Sequence, residues 1–364
     1  MITCRWCGGG CQVVLDLGEQ PAADHFPLPD DPLPDPVHPL RMALCPACGL
    51  AQLAEDATEA DEPRGIEPQA LRDQAVDAVD RVAAAGALGA GRTVREFGSP
   101  HGGSWERPLR AHGLEPVDGA ADVVVDVFGM MHDADQRAAL AERVAAVAPG
   151  GVLLVQFHSL AAIVAHGSWN ALRHGHFAYY SAPALLAMAA ELGWAGTGAW
   201  DFDLYGGTVL LALRAGAAES DDVQALRERE LAVGVTDPAR VTTLADTASS
   251  PGLRTFLEAE VAAGRRVLGY GAASRTASLL QQAGVTVELL AAVADASPAK
   301  QGRALPCSRV PVISPEALVD AAPDRVLLFV PDLLDEVRAA LPQVEAGGGA
   351  WVVLEPSPTV VPTS

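Results

Sequence analysis

The spacing of apolar residues divides the chain into three stretches. Within Gln69 to Ala85 the apolar positions Leu71, Val76, Val79 and Val82 fall on one face of a helix. From Thr93 a strand-and-helix rhythm begins: Thr93 to Phe97 reads as a strand, Gly98, Gly102 and Gly103 as a turn, and Trp105 to His112 as a helix. Ala121 to Phe128 and Gly151 to Phe157 are almost unbroken runs of Val, Leu and Phe, the pattern of parallel strands buried on both faces. A polar helix over Asp221 to Val233 and a looser Thr/Ser/Pro segment over Thr236 to Pro251 separate this unit from a second one. That unit reads as a helix over Leu253 to Ala263, a strand over Arg266 to Tyr270, glycines at 269 and 271, and a helix over Ser274 to Ala283. Strands follow at Leu289 to Asp295, Arg325 to Phe329 and Ala350 to Leu354. The segment before residue 56 has little periodicity and is Pro-rich from Pro27 to Pro39, so a metal is expected there in place of a core. The predicted fold class is α/β, a small N-terminal module followed by two Rossmann-like domains, with divisions at 1–56, 57–216 and 217–364.

The metal expectation comes from cysteine spacing. Cys4-Arg5-Trp6-Cys7 and Cys45-Pro46-Ala47-Cys48 are two Cys-x-x-Cys knuckles, which together supply the four thiolates of a tetrahedral structural zinc site. Cys11 lacks a paired knuckle and reads as a bystander. A redox dithiol is the competing reading, but such motifs occur singly beside a βαβ unit.

Composition narrows the partners. A formal net charge of −21 lacks the clustered cations that a nucleic acid requires. No apolar run reaches the roughly 20 residues that span a bilayer, and the N-terminus lacks the layout of a signal peptide. The expectation is a soluble, cytoplasmic protein, with 49% hydrophobic residues to build its cores.

Several motifs in order resemble the three-domain S-adenosylmethionine-dependent sugar C-methyltransferases. The two knuckles, Leu15 to Pro21 and Cys45 to Leu50 resemble that family's zinc domain. Glu96 to Gly102 resembles its methyl-donor turn, His174-Gly175-His176 with Phe177 to Ser181 its catalytic His-Glu-His segment, and Tyr205-Gly206-Gly207-Thr208 its His-Gly-Gly-Ser element. Gly269 to Ala272, Lys300 to Arg303 and Pro311-Val312 are similar to its third domain. The resemblance implies S-adenosylmethionine held by Glu96, Gly98, Gly102 and Asp118, His176 as catalytic base with His174 and Arg173 beside it, and a nucleotide-linked keto-deoxysugar as substrate.

The departures are equally specific. Arg173 and Gly175 stand where the family pattern has Tyr and Glu, Pro100 and His101 replace a polar Asn-Asp pair, and no tyrosine lies between Ala51 and Val94. Ala121 to Val127 resembles the fourth strand yet follows Leu114 to Asp118 almost at once, so the first Rossmann-like domain is expected to be truncated by about one βα unit. Three readings remain open at this stage: a C-methyltransferase; an enzyme on the same scaffold doing donor-independent enolisation, epimerisation or elimination through His174, His176 and Arg173; and a non-catalytic paralogue that binds a partner enzyme.

Overall fold

The computed structural model describes residues 2–22, 24–58, 65–100, 102–249, 252–354 and 357–362. The N-terminal segment holds strands β1 (Ile2–Thr3), β2 (Gly10–Pro21), β3 (Val37–Leu44) and β4 (Ala51–Leu53). The middle holds β5 (Thr93–Gly98), β6 (Glu115–Pro116), β7 (Ala121–Val127), β8 (Val147–His158), β9 (Ala178–Tyr179), β10 (Trp194–Phe202) and β11 (Thr208–Ala215). The C-terminal part holds β12 (Val267–Tyr270), β13 (Val293–Ala294), β14 (Val312–Ile313), β15 (Arg325–Leu328), β16 (Ala350–Leu354) and β17 (Pro358–Val360).

The first sheet corrects the expectation of a coreless metal module. It is antiparallel in the order β1-β2-β3-β4-β9, and its last strand is lent by the middle of the chain. Leu15, Leu40, Met42, Leu44 and Leu53 are buried against Ile163, Trp169, Val235, Val241 and Leu244. Irregular pairing between Val13 and Leu15 and between Asp16 and Glu19 breaks the two-residue alternation of β2, which hides the strand in the sequence. The stretch expected to be loose after Thr236 supplies part of this core through two short helices, Pro238–Val241 and Leu244–Ala248. Asp237 caps the first by accepting from Ala239 N, and Pro238 follows it.

The second sheet has the order β10-β11-β8-β7-β5-β6, with β6, β5, β7 and β8 parallel. Val123, Val125 and Val127 pack against Val79, Trp105 and Leu109 on one face, and Val124, Leu153, Val155 and Phe157 join the core of the other. The continuous apolar runs are thus explained by helices covering both faces. The sheet ends at the two-residue strand β6, and among the described residues no strand lies beyond it; the domain is truncated as expected. The chain leaves β5 to one side for β6 and returns on the other for β7, so the crevice over the carboxyl ends of β5 and β7 is the place where such sheets bind ligands.

The third sheet, β14-β13-β12-β15-β16-β17, is parallel except for its edge strand β17. The strand expected over Leu289 to Asp295 is only Val293–Ala294, because Leu289 and Leu290 donate back to the Thr286 carbonyl in a turn. No helix among the described residues is long and apolar enough to cross a membrane.

Candidate functional site

Cys4, Cys7, Cys45 and Cys48 form a zinc site. Their sulfurs all lie within 4.8 Å of one another, with Cys4 Sγ 3.6 Å from Cys48 Sγ and Cys7 Sγ 3.5 Å from Cys45 Sγ. Tetrahedral coordination at about 2.3 Å per Zn–S bond places sulfurs about 3.8 Å apart, so the cage fits the ion. Four protein ligands leave no position for a reacting water, and the role is structural. Cys11 sits beside the cage without joining it, its thiol pushed up to about 12 by burial and by Cys4 and Cys45.

The end of β5 and the turn after it carry Glu96, Gly98 and Gly102, residues expected to hold the donor. The Glu96 carboxylate accepts from Ser104 Oγ at 3.1 Å and from Trp105 N at 3.0 Å, and burial raises its pKa. Glu96 and Gly98 line a cavity of about 180 Å³ with Val94, Ser104, Glu106 and Pro116. Gly102 adopts φ +95 with open space where a side chain would project. Asp118 is exposed two residues past the Val94 and Pro116 pair, level with Glu96, and does not line this cavity. His101 lies outside the described residues.

These features fit S-adenosylmethionine in part. The turn, the acid and a cavity coincide, but pockets for ligands of that size run to about 300–1,000 Å³. With the sheet ending at β6, the remainder of the donor would lie open to solvent. The crevice between β5 and β7 is also crowded. Gly98 bridges to Phe128, a non-glycine residue at φ +53, and a side chain on Gly129 would meet the carbonyls of Phe97 at 2.9 Å and Gly98 at 3.1 Å. Beneath this loop Asp126 is fully buried: it pairs with Arg143 Nε at 2.9 Å and accepts from Gly129 N and Met130 N.

The two candidate histidines face opposite ways. His174 is buried, with Nε2 3.2 Å from the Pro39 carbonyl and its ring edge-on to His38, so it fastens its loop to the first sheet; burial lowers its pKa. The His176 ring meets His132 edge-on at 4.7 Å and Tyr179 at 6.3 Å. His132 Nδ1 is 2.9 Å from the Gly175 carbonyl, which can only accept, so Nδ1 carries the proton and Nε2 is the basic nitrogen, 3.5 Å from Ser99 Oγ. Gly175, in the place of the family's Glu, is left-handed at φ +79 and donates to Asp56 Oδ2 at 2.6 Å.

Arg173 reaches a third element. Its Nη1 donates to Ser274 Oγ at 3.2 Å, Ser274 Oγ donates to Asp24 at 2.9 Å, and its backbone N–H donates to the Tyr179 hydroxyl. The neighbouring Arg275 lies over the Tyr205 ring at 5.8 Å, and Tyr205, at φ +58, meets Phe128 edge-on. Burial raises the Tyr205 phenol, Arg275 and Arg173 oppose the rise, and Asp332 reinforces it. His158 stays neutral here, pushed down to about 3 by burial and then by Arg275 and His166.

Folding therefore joins His176 to His132 and Arg173 to Arg275, and separates His174 from both. The sequence alone did not single out Arg275 or Asp56: Arg275 lies in the first turn of the helix Ser274–Ala283, and Asp56 follows β4 by three residues.

The chain matches two family profiles, "C-methyltransferase C-terminal domain" over residues 203–356 and "Putative zinc binding domain" over residues 4–61. It is 26% identical over 226 residues to the C-methyltransferase NovU of Streptomyces niveus, an alignment covering 60% of this chain and 53% of NovU, so it spans about half the length of that relative. An O-methyltransferase family protein from Burkholderia thailandensis superposes with TM-score 0.30 at 18% identity, over 41% of this chain and 58% of that one. The magnesium protoporphyrin IX methyltransferase of Synechocystis, solved with bound SAH, gives 0.30 at 14% identity, over 43% and 90%. Structural likenesses this weak carry no functional weight.

Proposed function

We propose that the chain is a C-methyltransferase that acts on a nucleotide-linked keto-deoxysugar beside His132, His176, Arg173 and Tyr205, a reading supported by the two family profiles and the likeness to NovU. The observation that carries this reading is the His132 and His176 pair beside the donor turn, with His132 within 3.5 Å of Ser99. Carbon methylation next to a ketone begins with loss of an acidified proton, and an imidazole near neutral pH suits that step. His176, set on a loop fixed at Gly175 by Asp56, takes the proton; His132, whose tautomer is fixed by the Gly175 carbonyl, offers its basic nitrogen beside it. Glu96, Gly98 and Gly102, with Asp118 at the open side, would hold S-adenosylmethionine, which supplies an electrophilic methyl group when bound. The reading places the protein in natural-product deoxysugar synthesis in the cytoplasm.

The Gly98 and Phe128 contact and the missing βα unit favour a second reading, in which the same histidines enolise or epimerise the substrate without a methyl donor. Titration calorimetry with S-adenosylmethionine, followed by solvent deuterium uptake into a nucleotide-linked keto sugar, tests both. Donor binding with methyl transfer supports the first reading. Deuterium uptake without donor binding supports the second, and uptake unchanged in His176→Ala removes His176 from either.

A further inference from the structure

We infer that Tyr205 steadies the oxygen of the enolate formed when the substrate loses its proton, and that Asp332, from the C-terminal part of the chain, is the positioning residue that presents it; the inference rests on the reading that this site enolises a keto sugar. When His176 takes the proton beside the carbonyl, the C–H electron pair becomes the enolate double bond and the carbonyl pair moves onto oxygen, so the base needs a donor facing that oxygen. Of the chain's four tyrosines, one has its hydroxyl available in this region. The Tyr179 hydroxyl is tied to the Arg173 backbone, that of Tyr180 donates to Gln136 Oε1, and Tyr270 packs on Trp351 in the third sheet. Tyr205 is half-buried, and among the described residues no group hydrogen-bonds its hydroxyl. Its ring lies 5.9 Å from that of Phe128, the residue that bridges to Gly98 and begins the loop ending at His132, whose ring in turn meets His176 at 4.7 Å.

The loop holds Tyr205 where its own backbone would not go. At φ 58 and ψ 26 it occupies the left-handed region, which a bulky residue enters only when its surroundings impose it. Gly206 and Gly207 follow at φ +76 and +141, and a Cβ on Gly207 would meet Ala162 Cβ at 2.4 Å, so the loop presses on the helix Leu160–His166. Ser159 N donates to the Gly207 carbonyl at 3.1 Å, and Thr208 Oγ1 to the Leu204 carbonyl at 2.8 Å. From the C-terminal part, the Asp332 carboxylate in the short helix Pro331–Leu333 faces the N–H groups of Tyr205 and Gly206, which favour its charged form against burial. A strained turn gripped from both sides returns the phenol to one place, and a preorganised donor needs that. Burial raises the phenol pKa, so near neutral pH it keeps its proton and donates; Arg275, 5.8 Å from the ring centre, adds positive charge where negative charge develops.

The test follows solvent deuterium uptake into a nucleotide-linked keto sugar by the full-length, zinc-loaded protein, and in parallel the binding of 4-nitrophenolate, a stable planar oxyanion, by its absorbance at a pH where it is ionised. Tyr205→Phe keeps the ring, and should lower kcat for uptake about a hundredfold or more with KM within about threefold, and weaken 4-nitrophenolate about tenfold or more. Asp332→Ala should also lower kcat, with Asp332→Asn, which keeps an acceptor oxygen, recovering part. In the Tyr205→Phe background Asp332→Ala should add less than about twofold, because it acts through the missing hydroxyl; losses that multiply overturn the role of Asp332. Should Asp332→Ala fail to fold, Asp332→Asn takes its place in the double variant. Uptake or 4-nitrophenolate binding unchanged in Tyr205→Phe overturns the role of Tyr205, as does a wild type that binds no 4-nitrophenolate. Binding that depends on Tyr205 without any uptake by the wild type would sink the proposed chemistry and leave the donor standing.

Discussion

Replacing Arg143 by Met tests whether the loop from Phe128 to His132 is held in place by the ion pair beneath it. Asp126 and Arg143 side chains are 1% and 6% exposed, and their 2.9 Å contact is joined by the Arg143 guanidinium stacking 4.5 Å from the Phe97 ring centre. Met keeps much of the volume and removes the charge. Asp126 is then left buried with only the N–H groups of Gly129 and Met130, and stranding one partner of a buried pair costs about 3–5 kcal/mol. For a domain of this size about 1 kcal/mol moves Tm by roughly 2–4 °C, so the middle domain should melt roughly 6–20 °C lower. The sign with pH follows from the same contacts. Burial already raises the Asp126 pKa and Arg143 is the main opposing influence, so its loss raises the folded-state pKa further above the unfolded value. Such a group favours the folded state when protonated. The deficit should therefore be full above the new pKa and shrink as pH falls through it. Asp126→Asn in the Arg143→Met background should recover part of the loss, because the amide carries no charge to strand. Melting followed by near-ultraviolet circular dichroism from pH 4 to 8 reads all of this. A variant within about 2 °C of wild type, or a deficit that acid does not reduce, refutes the reasoning.

Zinc removal by a chelator should expose amides in the two knuckles to hydrogen exchange while Arg41 to Leu44 stay protected, since those strand residues are held by an apolar core; equal loss in both would show that the metal carries the module. Phe128→Gly removes the side chain from the residue whose backbone bridges to Gly98 and accepts φ +53 without strain, so calorimetry should show tighter S-adenosylmethionine binding; unchanged affinity means that the crevice does not limit the donor. Gly175→Glu places the family's side chain on a left-handed backbone and should lower stability by about 1–2 kcal/mol in a denaturant titration, with a neutral result showing that the loop can change its turn.

How much of this was legible in the sequence depended on the range of the cause. The zinc cage was legible because each knuckle is a local device and tetrahedral coordination needs two of them. Strands β7 and β8 were legible because both faces are buried and every position is apolar. Strand β2 was not, because its pairing irregularities put Val14 and Leu15 side by side in the core, which no two-residue alternation anticipates. The truncation of the middle sheet showed as too few residues between Leu114 and Ala121.

The histidines show where such reading stops. His174 and His176 are two residues apart and look like one unit, yet the left-handed Gly175 between them turns one ring into the first sheet and the other toward the second. The partner that His176 does meet, His132, follows β7 and is 44 residues away, whereas His176 precedes β9 of the first sheet; the two segments meet where Phe177 N donates to the Met131 carbonyl at 2.7 Å. The same reasoning joins Arg173 to Arg275, since Ser274, at the start of the helix after β12, takes the Arg173 hydrogen bond and so sets Arg275 next to it.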